Sequence, residues 1–399
     1  MSAEITTDIV IVGGGATGLS LALGLAKKTG LSALVVDQGA EPDPNATHPQ
    51  FDQRTIALSL SSIDILAGFD IGLDTLTHSP IEHIHVSDQH HAGQVRLSAD
   101  EQSKPAFGYV VSLAALGSRL YGALQNLSSS QIQYRSSTQV TALKRHSSSS
   151  ELALSDGTKV NASLVVLADG GRSPFAESIG FYREDTDYQQ TALTFVASTT
   201  EPHQGKAYER FTDKGPLALL PLGERKFGVA WTVQSTQAEY LLNASKAKFI
   251  QHFQDALGYR QGVVTDFSEV VSYPLVLRQL TSTFIQGTVA IGNAAQTLHP
   301  IAGQGANLGF RDVNTLVNVL AESTQDQLGD YQTLSKYSKQ RETDRQATIQ
   351  LSDSLVRVFS NGYEALQIGR NVALSMMNLS PVAKREFALQ AMGYKNATF

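Results

Sequence analysis

The 399-residue chain contains no cysteine. That excludes disulfides, thiolate-ligated zinc and a cysteine nucleophile, and it fits a reducing compartment. Tryptophan occurs once, at Trp231. Charged residues make up only 17%, below the usual quarter, with Ser, Thr and Gln in their place. The net charge of −6 and a pI near 5.9 make nucleic acid a poor partner. No apolar run approaches the ~20 residues that cross a bilayer. The opening M-S-A-E-I-T-T-D has no basic n-region of a signal peptide. The expectation is a soluble, cytoplasmic protein, with a peripheral membrane role left open. What is present is a 42% apolar content, enough for a sizeable core in two domains or one composite.

Ile5 to Val12 is a short β-branched run that reads as a buried parallel strand. A Gly-rich turn, a helical pattern from Ala16 to Thr29 and a second strand from Ala33 to Asp37 complete a βαβ unit. Phe51 to Leu66 turns from polar to helical, Ile81 to Leu97 alternates weakly, and Val111 to Leu127 has helical spacing. Val140 to Leu167 reads as a β-meander with an Asp156-Gly157 turn. Ala192 to Val233 is strand-rich, Lys246 to Leu257 helical and Val270 to Leu277 a strand. Beyond Gly309 the chain reads as mostly helical, with Pro381 placed to start the last helix.

Three motifs carry chemistry. Gly13-Gly14-Gly15-Ala16-Thr17-Gly18 is G-x-G-x-x-G between a strand and a helix. Gly13 makes the tight turn, Gly15 lets backbone meet a pyrophosphate, and Gly18 permits close packing. Asp37, ending the second strand, is suited to accept from ribose hydroxyls. The second motif, Leu167 to Ser173, is an apolar strand ending in A-D-G. The third, A-I-G-N-A-A-Q-T-L-H-P-I-A-G-Q-G-A-N-L-G over 290–309, is a strand, a polar turn, a Pro and a Gly-rich loop. A helix from about Asn307 to Glu322 follows, so its unpaired N–H groups face an anionic or electron-rich ligand.

With these motifs in this order, the chain resembles the group A flavin monooxygenases of the para-hydroxybenzoate hydroxylase-like class over residues 5–393. F-D-Q-R-T-I-A-L-S at 51–59, E-R-F-T-D-K-G-P-L-A-L-L-P-L at 209–222 and G-N-A-A-Q-T-L-H-P-I-A-G-Q-G at 292–305 are similar to the ubiquinone-biosynthesis hydroxylases. Asn293, where most of the class has Asp, resembles the 2-polyprenyl-6-methoxyphenol hydroxylase branch. The resemblance implies an α/β composite: a Rossmann-like FAD-binding domain over 1–75, 110–185 and 285–330. It further implies an inserted β-sheet substrate domain over 76–109 and 186–284, and a helical region over 331–399. It implies an enzyme that uses FAD, NADH or NADPH and O₂, through a flavin C4a-hydroperoxide, to hydroxylate a polyprenylated phenol in ubiquinone biosynthesis. Ubiquinone-biosynthesis complex proteins, or peripheral contact with the inner membrane, are the implied partners.

The implied FAD contacts are Gly13, Gly15, Ala16, Gly18, Asp37, Arg54, Asp169, Gly170, Gly292, Asn293, Pro300, Gly303, Gln304, Gly305, Ala306 and Asn307. The chain departs from the class at Ala176, where an Arg is common, and at Ser112 and Leu113, with Arg119 one to two turns later. His299, with Pro300, is the nearest candidate for the reacting phenol, in a positioning role; a structural His that orients the loop is the alternative. Tyr208, Arg210, Phe211 and Pro221 are pocket candidates, set against ordinary strand packing. His83, His85, His90 and His91 have no acidic cluster near them in sequence, so no metal is expected. Leu351, Leu355 and Phe359, and Val372, Met376 and Leu379, share helical spacing. They suit packing on the FAD domain or an apolar surface for a lipid-presenting partner or membrane. Competing readings are a hydroxylase of another ring position or phenol, another FAD enzyme such as a halogenase or prenyl reductase, and a non-catalytic FAD-binding assembly factor. A W-x-W-x-I-P halogenase motif is absent.

Overall fold

The computed structural model describes residues 4–41, 55–73, 76–127, 131–171, 174–298, 303–359 and 364–394. Arg54, His299 and Pro300 lie outside the described residues. The first large sheet has a parallel core ordered Thr288–Ala290, Lys159–Leu167, Glu4–Val12, Ala33–Val36 and Ile132–Arg135. Its strands are apolar at successive positions because both faces are covered. Ile9, Ile11 and Val35 face the helices Ala16–Lys28, Leu113–Gln125 and Gln304–Ala321. Val10, Leu34 and Val36 face the other way. There the strands Val140–Arg145 and Ser150–Leu154 extend antiparallel from Lys159–Leu167, the expected meander. Its turn puts Gly157 at φ 85°, a conformation that glycine adopts without strain.

The second large sheet contains Val271–Leu280, Arg183–Thr199, Lys226–Gln234, Gly215–Leu222, Lys206–Thr212, His83–Asp88 and Gln94–Ser98 in that order. Its Phe227, Val229, Trp231, Leu217 and Leu219 pack under the helices Ser235–Leu242 and Lys246–Leu257. Phe249 stacks on Phe267 at 4.5 Å, and Phe195 meets Phe253 edge-on at 5.1 Å. The alternate residues Ala218, Leu220, Gly228 and Ala230 turn to a cavity on the opposite face. A small sheet of Thr55–Ser59, Gly108–Ser112 and His78–Pro80 lies against that cavity. Pairing crosses the expected divisions: the Arg183–Thr199 strand belongs to the second sheet from Arg183, and Gln296–Thr297 joins it through Val271–Leu280.

The C-terminal helices are Tyr331–Phe359, Glu364–Leu379 and Pro381–Ala391. Pro381 does open the last one, behind a Ser380 side chain that accepts from the Ala383 N–H. Glu364–Leu379 covers the sheet edge: Asn371 Oδ1 accepts from Gly93 N at 2.7 Å and Asn378 Oδ1 from Arg96 N at 3.0 Å. Seven residues apart, the two asparagines share a helix face and satisfy edge-strand donors.

Tyr331–Phe359 is tied to Gln304–Ala321 by buried charges. Arg341 Nε donates to Asp312 Oδ1 at 2.7 Å, and Arg311 Nε to Asp344 Oδ2 at 2.8 Å. Arg341 Nη1 lies 2.6 Å from Asp344. Burial opposes the Arg341 charge, but Asp312 and Asp344 outweigh it and raise its pKa. Burial, then Asp312, pushes the Tyr337 phenol well above its ordinary range. Removing one partner leaves the others buried and unmatched. Asp312→Ala is expected to lose about 3–5 kcal/mol in urea unfolding; a loss below about 1 kcal/mol contradicts this account.

Candidate active site

Three segments far apart in sequence converge through glycines. Gly13 sits at φ 110°, and a Cβ there would lie 2.6 Å from Ala168 O. A Cβ on Gly171 would lie 2.7 Å from Asn293 O, and one on Gly292 2.9 Å from Thr17 Oγ1. The fingerprint turn, the A-D-G strand end and the 290–309 stretch are therefore in mutual contact because these positions have no side chain. Gly18 serves the same packing, since its Cβ would meet Gly13 O at 2.0 Å. Gly15 differs: no atom lies within 4 Å of its Cβ position. It caps the Ala16–Lys28 helix and faces open space, so a ligand has direct access to the backbone.

That space is a cavity of about 1960 Å³. Gly13, Gly15, Ala16 and Asp37 line one end, and Asp169, Gly170 and Asn293 also form part of its wall. Asp37 is buried and accepts from Gly14 N, and from Gly39 N at 2.6 Å. Gly303, Gln304, Gly305, Ala306 and Asn307 add the start of a helix. The helix begins at Gln304, three residues before the spacing predicts, behind Gly303 at φ 61°. Its first-turn N–H groups thus belong to Gln304, Gly305 and Ala306, where the helix dipole favours negative charge. Asn293 Oδ1 faces the same spot, 3.8 Å from the Cβ position of Gly305.

Asn307 is buried, and its side chain holds protein. Its Oδ1 accepts from Ser59 N at 2.9 Å and Ser62 Oγ at 2.7 Å. Its Nδ2 donates to Ala57 O and Gly303 O at 2.9 and 2.8 Å. All four of its amide bonding positions are engaged, so it clamps the helix start to Thr55–Ser59. Gly292 is off the wall, its N–H held by Asp312 Oδ2 at 3.0 Å.

From the end lined by Gly13, Gly15 and Asp37 the cavity runs along the second sheet. Phe211 and Tyr208 contribute to its wall; Arg210 and Pro221 do not. Strand alternation is the reason. Ala207, Glu209 and Phe211 share the cavity face, whereas Arg210 Nε donates to Ala256 O at 2.9 Å on the other side. Pro221 has the parity of Leu217 and Leu219, which pack under the helices. Tyr208 accepts from Gln261 and packs edge-on with His85, so its hydroxyl also points outward. Glu209 was missed, although Phe211 inward makes Glu209 inward by the same alternation. Arg370, Leu374, Met377 and Phe387 bring the C-terminal helices into the wall; Arg370 is held by buried Asp88 at 2.8 Å. Nothing in the sequence marks that long-range pair.

Among the described residues no group of three His, Asp or Glu is placed to hold a metal. His91 lies 3.4 Å from Asp88, and His85 contacts Arg260. Burial first, and nearby arginines after it, lower the His85 pKa to about 4, against a gain from Gln94. In the unfolded chain it protonates near 6.5. Its contribution is therefore intact above pH 6.5 and lost as pH falls toward 4, on the order of 2 kcal/mol after discounting for solvent screening. His85→Gln should flatten the stability–pH curve across that window; an unchanged slope refutes the assignment.

FAD binding is tested at two glycines, Gly15, which is open to the cavity, and Gly18, which is packed against Gly13. Gly15→Ala should preserve folding and cut bound flavin by about tenfold, because its Cβ points into the cradle. Gly18→Ala should instead lower the melting temperature, because its Cβ strikes Gly13. Equal loss of stability in both, measured by thermal melting beside flavin absorbance, contradicts this division.

Residues 6–352 match the FAD binding domain family. The chain is 31% identical to the 3-demethoxyubiquinol 3-hydroxylase of Escherichia coli, covering 97% of this chain and 98% of that protein. It is 32% identical to the ubiquinone hydroxylase UbiL of Rhodospirillum rubrum, covering 98% and 91%. The crystal structure of p-nitrophenol 4-monooxygenase PnpA from Pseudomonas putida superposes with a TM-score of 0.78 over 100% of both chains at 16% identity. Among the described residues no helix is long and apolar enough to cross a membrane.

Proposed function

We propose, for a chain that belongs to the FAD binding domain family and is an FAD-dependent monooxygenase, that it hydroxylates the ring of a polyprenylated phenol in ubiquinone biosynthesis. The observation that carries the reading is that one continuous cavity spans both regions. It joins a nucleotide-type cradle to a sheet-and-helix chamber with largely apolar walls. FAD fits the cradle: Gly15 is open, Asp37 lies beside it, and the Gln304 helix start faces the same space. When bound, FAD supplies the redox chemistry that joins NAD(P)H and O₂ to ring hydroxylation.

The residues of this chain do the rest. Gly13 and Gly15 admit the pyrophosphate, and Asp37 orients the ribose. The N–H groups of Gln304, Gly305 and Ala306 stabilise negative charge on the ring edge that faces them. Asn293 offers an amide there, which brings no charge. Ala218, Leu220, Ala230 and Phe211 line the sheet side of the chamber and exclude water. Leu351, Leu355, Leu374, Met377 and Phe387 extend the apolar wall, which suits a prenyl tail better than a compact polar substrate. His299 with Pro300 is proposed as a positioning element beside the phenol.

The ring position has two candidates. Asn293 favours 2-polyprenyl-6-methoxyphenol. The name of the Escherichia coli relative favours a demethoxyubiquinol. Purified protein should be yellow and should oxidise NAD(P)H faster with a prenylated phenol present, with one oxygen entering the product. Silence with every prenylated phenol sinks the proposal and leaves the assembly-factor reading. Deleting the gene and identifying the quinone precursor that accumulates decides between the two ring positions.

A further inference from the structure

The sheet face opposite the cavity carries a group of like charges that the proposed reaction does not use. His85 is paired across the ladder with Arg96 on one side and with Tyr208 on the other. Ile84, Val86 and Val95 face the cavity. Alternation therefore sends His85, Arg96 and Tyr208 to the outer face, together with Arg210 two residues further on. Arg260 reaches the same place from the loop after the Lys246–Leu257 helix, with Nη1 3.0 Å from His85 Nε2. The Tyr208 ring packs edge-on against the imidazole at 5.6 Å.

One guanidinium thus contacts the buried imidazole, and the charges of two more, Arg96 and Arg210, reach it. Arg96 Nη2 donates to Gln94 Oε1 at 3.3 Å, and Arg210 Nε to Ala256 O at 2.9 Å. Among the described residues no carboxylate lies within the 4.0 Å ion-pair distance of Arg96, Arg210 or Arg260. Asp88, whose field reaches Arg210, is held by Arg370 and Asn371. Burial and then the Arg260 charge lower the Arg210 pKa. In a chain of net charge −6, an uncompensated cluster of this kind is not an effect of composition. Like charges held together this way are relieved by a bound anion.

We propose that Arg96, Arg210 and Arg260, set around His85 and the Tyr208 ring, form a binding site for a phosphate-bearing group. Guanidinium forks match phosphate oxygens in geometry and charge. The imidazole of His85 adds a ring nitrogen at the floor. Two sources carry this chemistry: a soluble phosphate and the phosphate of a lipid headgroup. The lipid source has a neighbour that suits it. The Glu364–Leu379 helix is bonded to the Arg96 backbone through Asn378, and its Val372, Met376 and Leu379 are 51%, 65% and 81% exposed. At 3.6 residues per turn these three lie nearly opposite the cavity-lining Ala373, Leu374 and Met377. They therefore flank the outer face on which the arginines sit. The site is independent of which phenol, if any, the cavity accepts.

The test uses the full chain with its flavin, at low salt where charge contacts are least screened. Inorganic phosphate is titrated in one arm. Vesicles of phosphatidylcholine, alone or mixed with phosphatidylglycerol, are added in the other. Binding is measured directly, and the His85 resonance, assigned with His85→Gln, reports whether the anion sits at this place. The expected result is binding that shifts the His85 resonance and weakens roughly tenfold or more in Arg96→Ala/Arg260→Ala. Both residues are exposed, so the melting temperature and flavin content of that variant should match the parent. A response to inorganic phosphate assigns a soluble source; one confined to phosphatidylglycerol vesicles assigns a lipid source; either supports the site. No shift of His85 in either arm, or equal binding by parent and double variant, overturns the proposal. Vesicle binding with no gain from phosphatidylglycerol removes the lipid source and, where inorganic phosphate also leaves His85 unmoved, overturns the proposal.

Discussion

The carboxylate of Asp312 is the point on which the site depends. One oxygen accepts from Arg341 on the next helix; the other accepts from the backbone of Gly292 and from Gln296. A single buried group thereby fixes the Gln304–Ala321 helix to Tyr331–Phe359 and, at the same time, to the turn that carries Asn293. The charge is tolerable in the interior only because Arg341 and two neutral donors satisfy it. Its direction follows from that geometry: the start of the helix is held toward the cavity, beside the turn that carries Asn293.

From that anchor the rest of the architecture serves one enclosed space. The first sheet supplies rigid strand ends, where Gly13, Asp37 and Ala168 sit. Asn307 ties the small sheet to the helix start. The second sheet contributes one face to its own aromatic core and the other to the cavity. The C-terminal helices close the far side. Glu364–Leu379 has three duties on three faces: covering an edge strand, lining the cavity, and presenting apolar side chains to solvent. Such a helix is not explained by core packing alone.

Much of the fold was legible because local patterns and tertiary demands agree. Ile9 to Val12 and Leu164 to Leu167 are apolar at every position, which only a strand covered on both faces needs. The G-x-G-x-x-G between strand and helix, the Asp156-Gly157 turn and Pro381 each state a backbone requirement that few residues meet. The spacing places the helix start at Asn307, three residues late, because Gly303 and Gly305 look like loop, whereas Gly303 is the left-handed cap. The pocket side chains were harder. Arg210 and Phe211 are neighbours in sequence and opposites in space, and the parity of the strand becomes known only once one residue is placed.

The sequence by itself determined the Gly-rich turn with its strand-end Asp and the family to which the chain belongs, since glycines and an Asp at fixed spacing carry their geometry with them. Tertiary structure decided what depends on contacts between distant segments. It set Asp312 under Gly292, Arg370 against Asp88, Glu209 rather than Arg210 toward the cavity, and three arginines around His85. Each of these is a pairing across a sheet face or between helices, and local spacing holds no record of which partner the fold will bring.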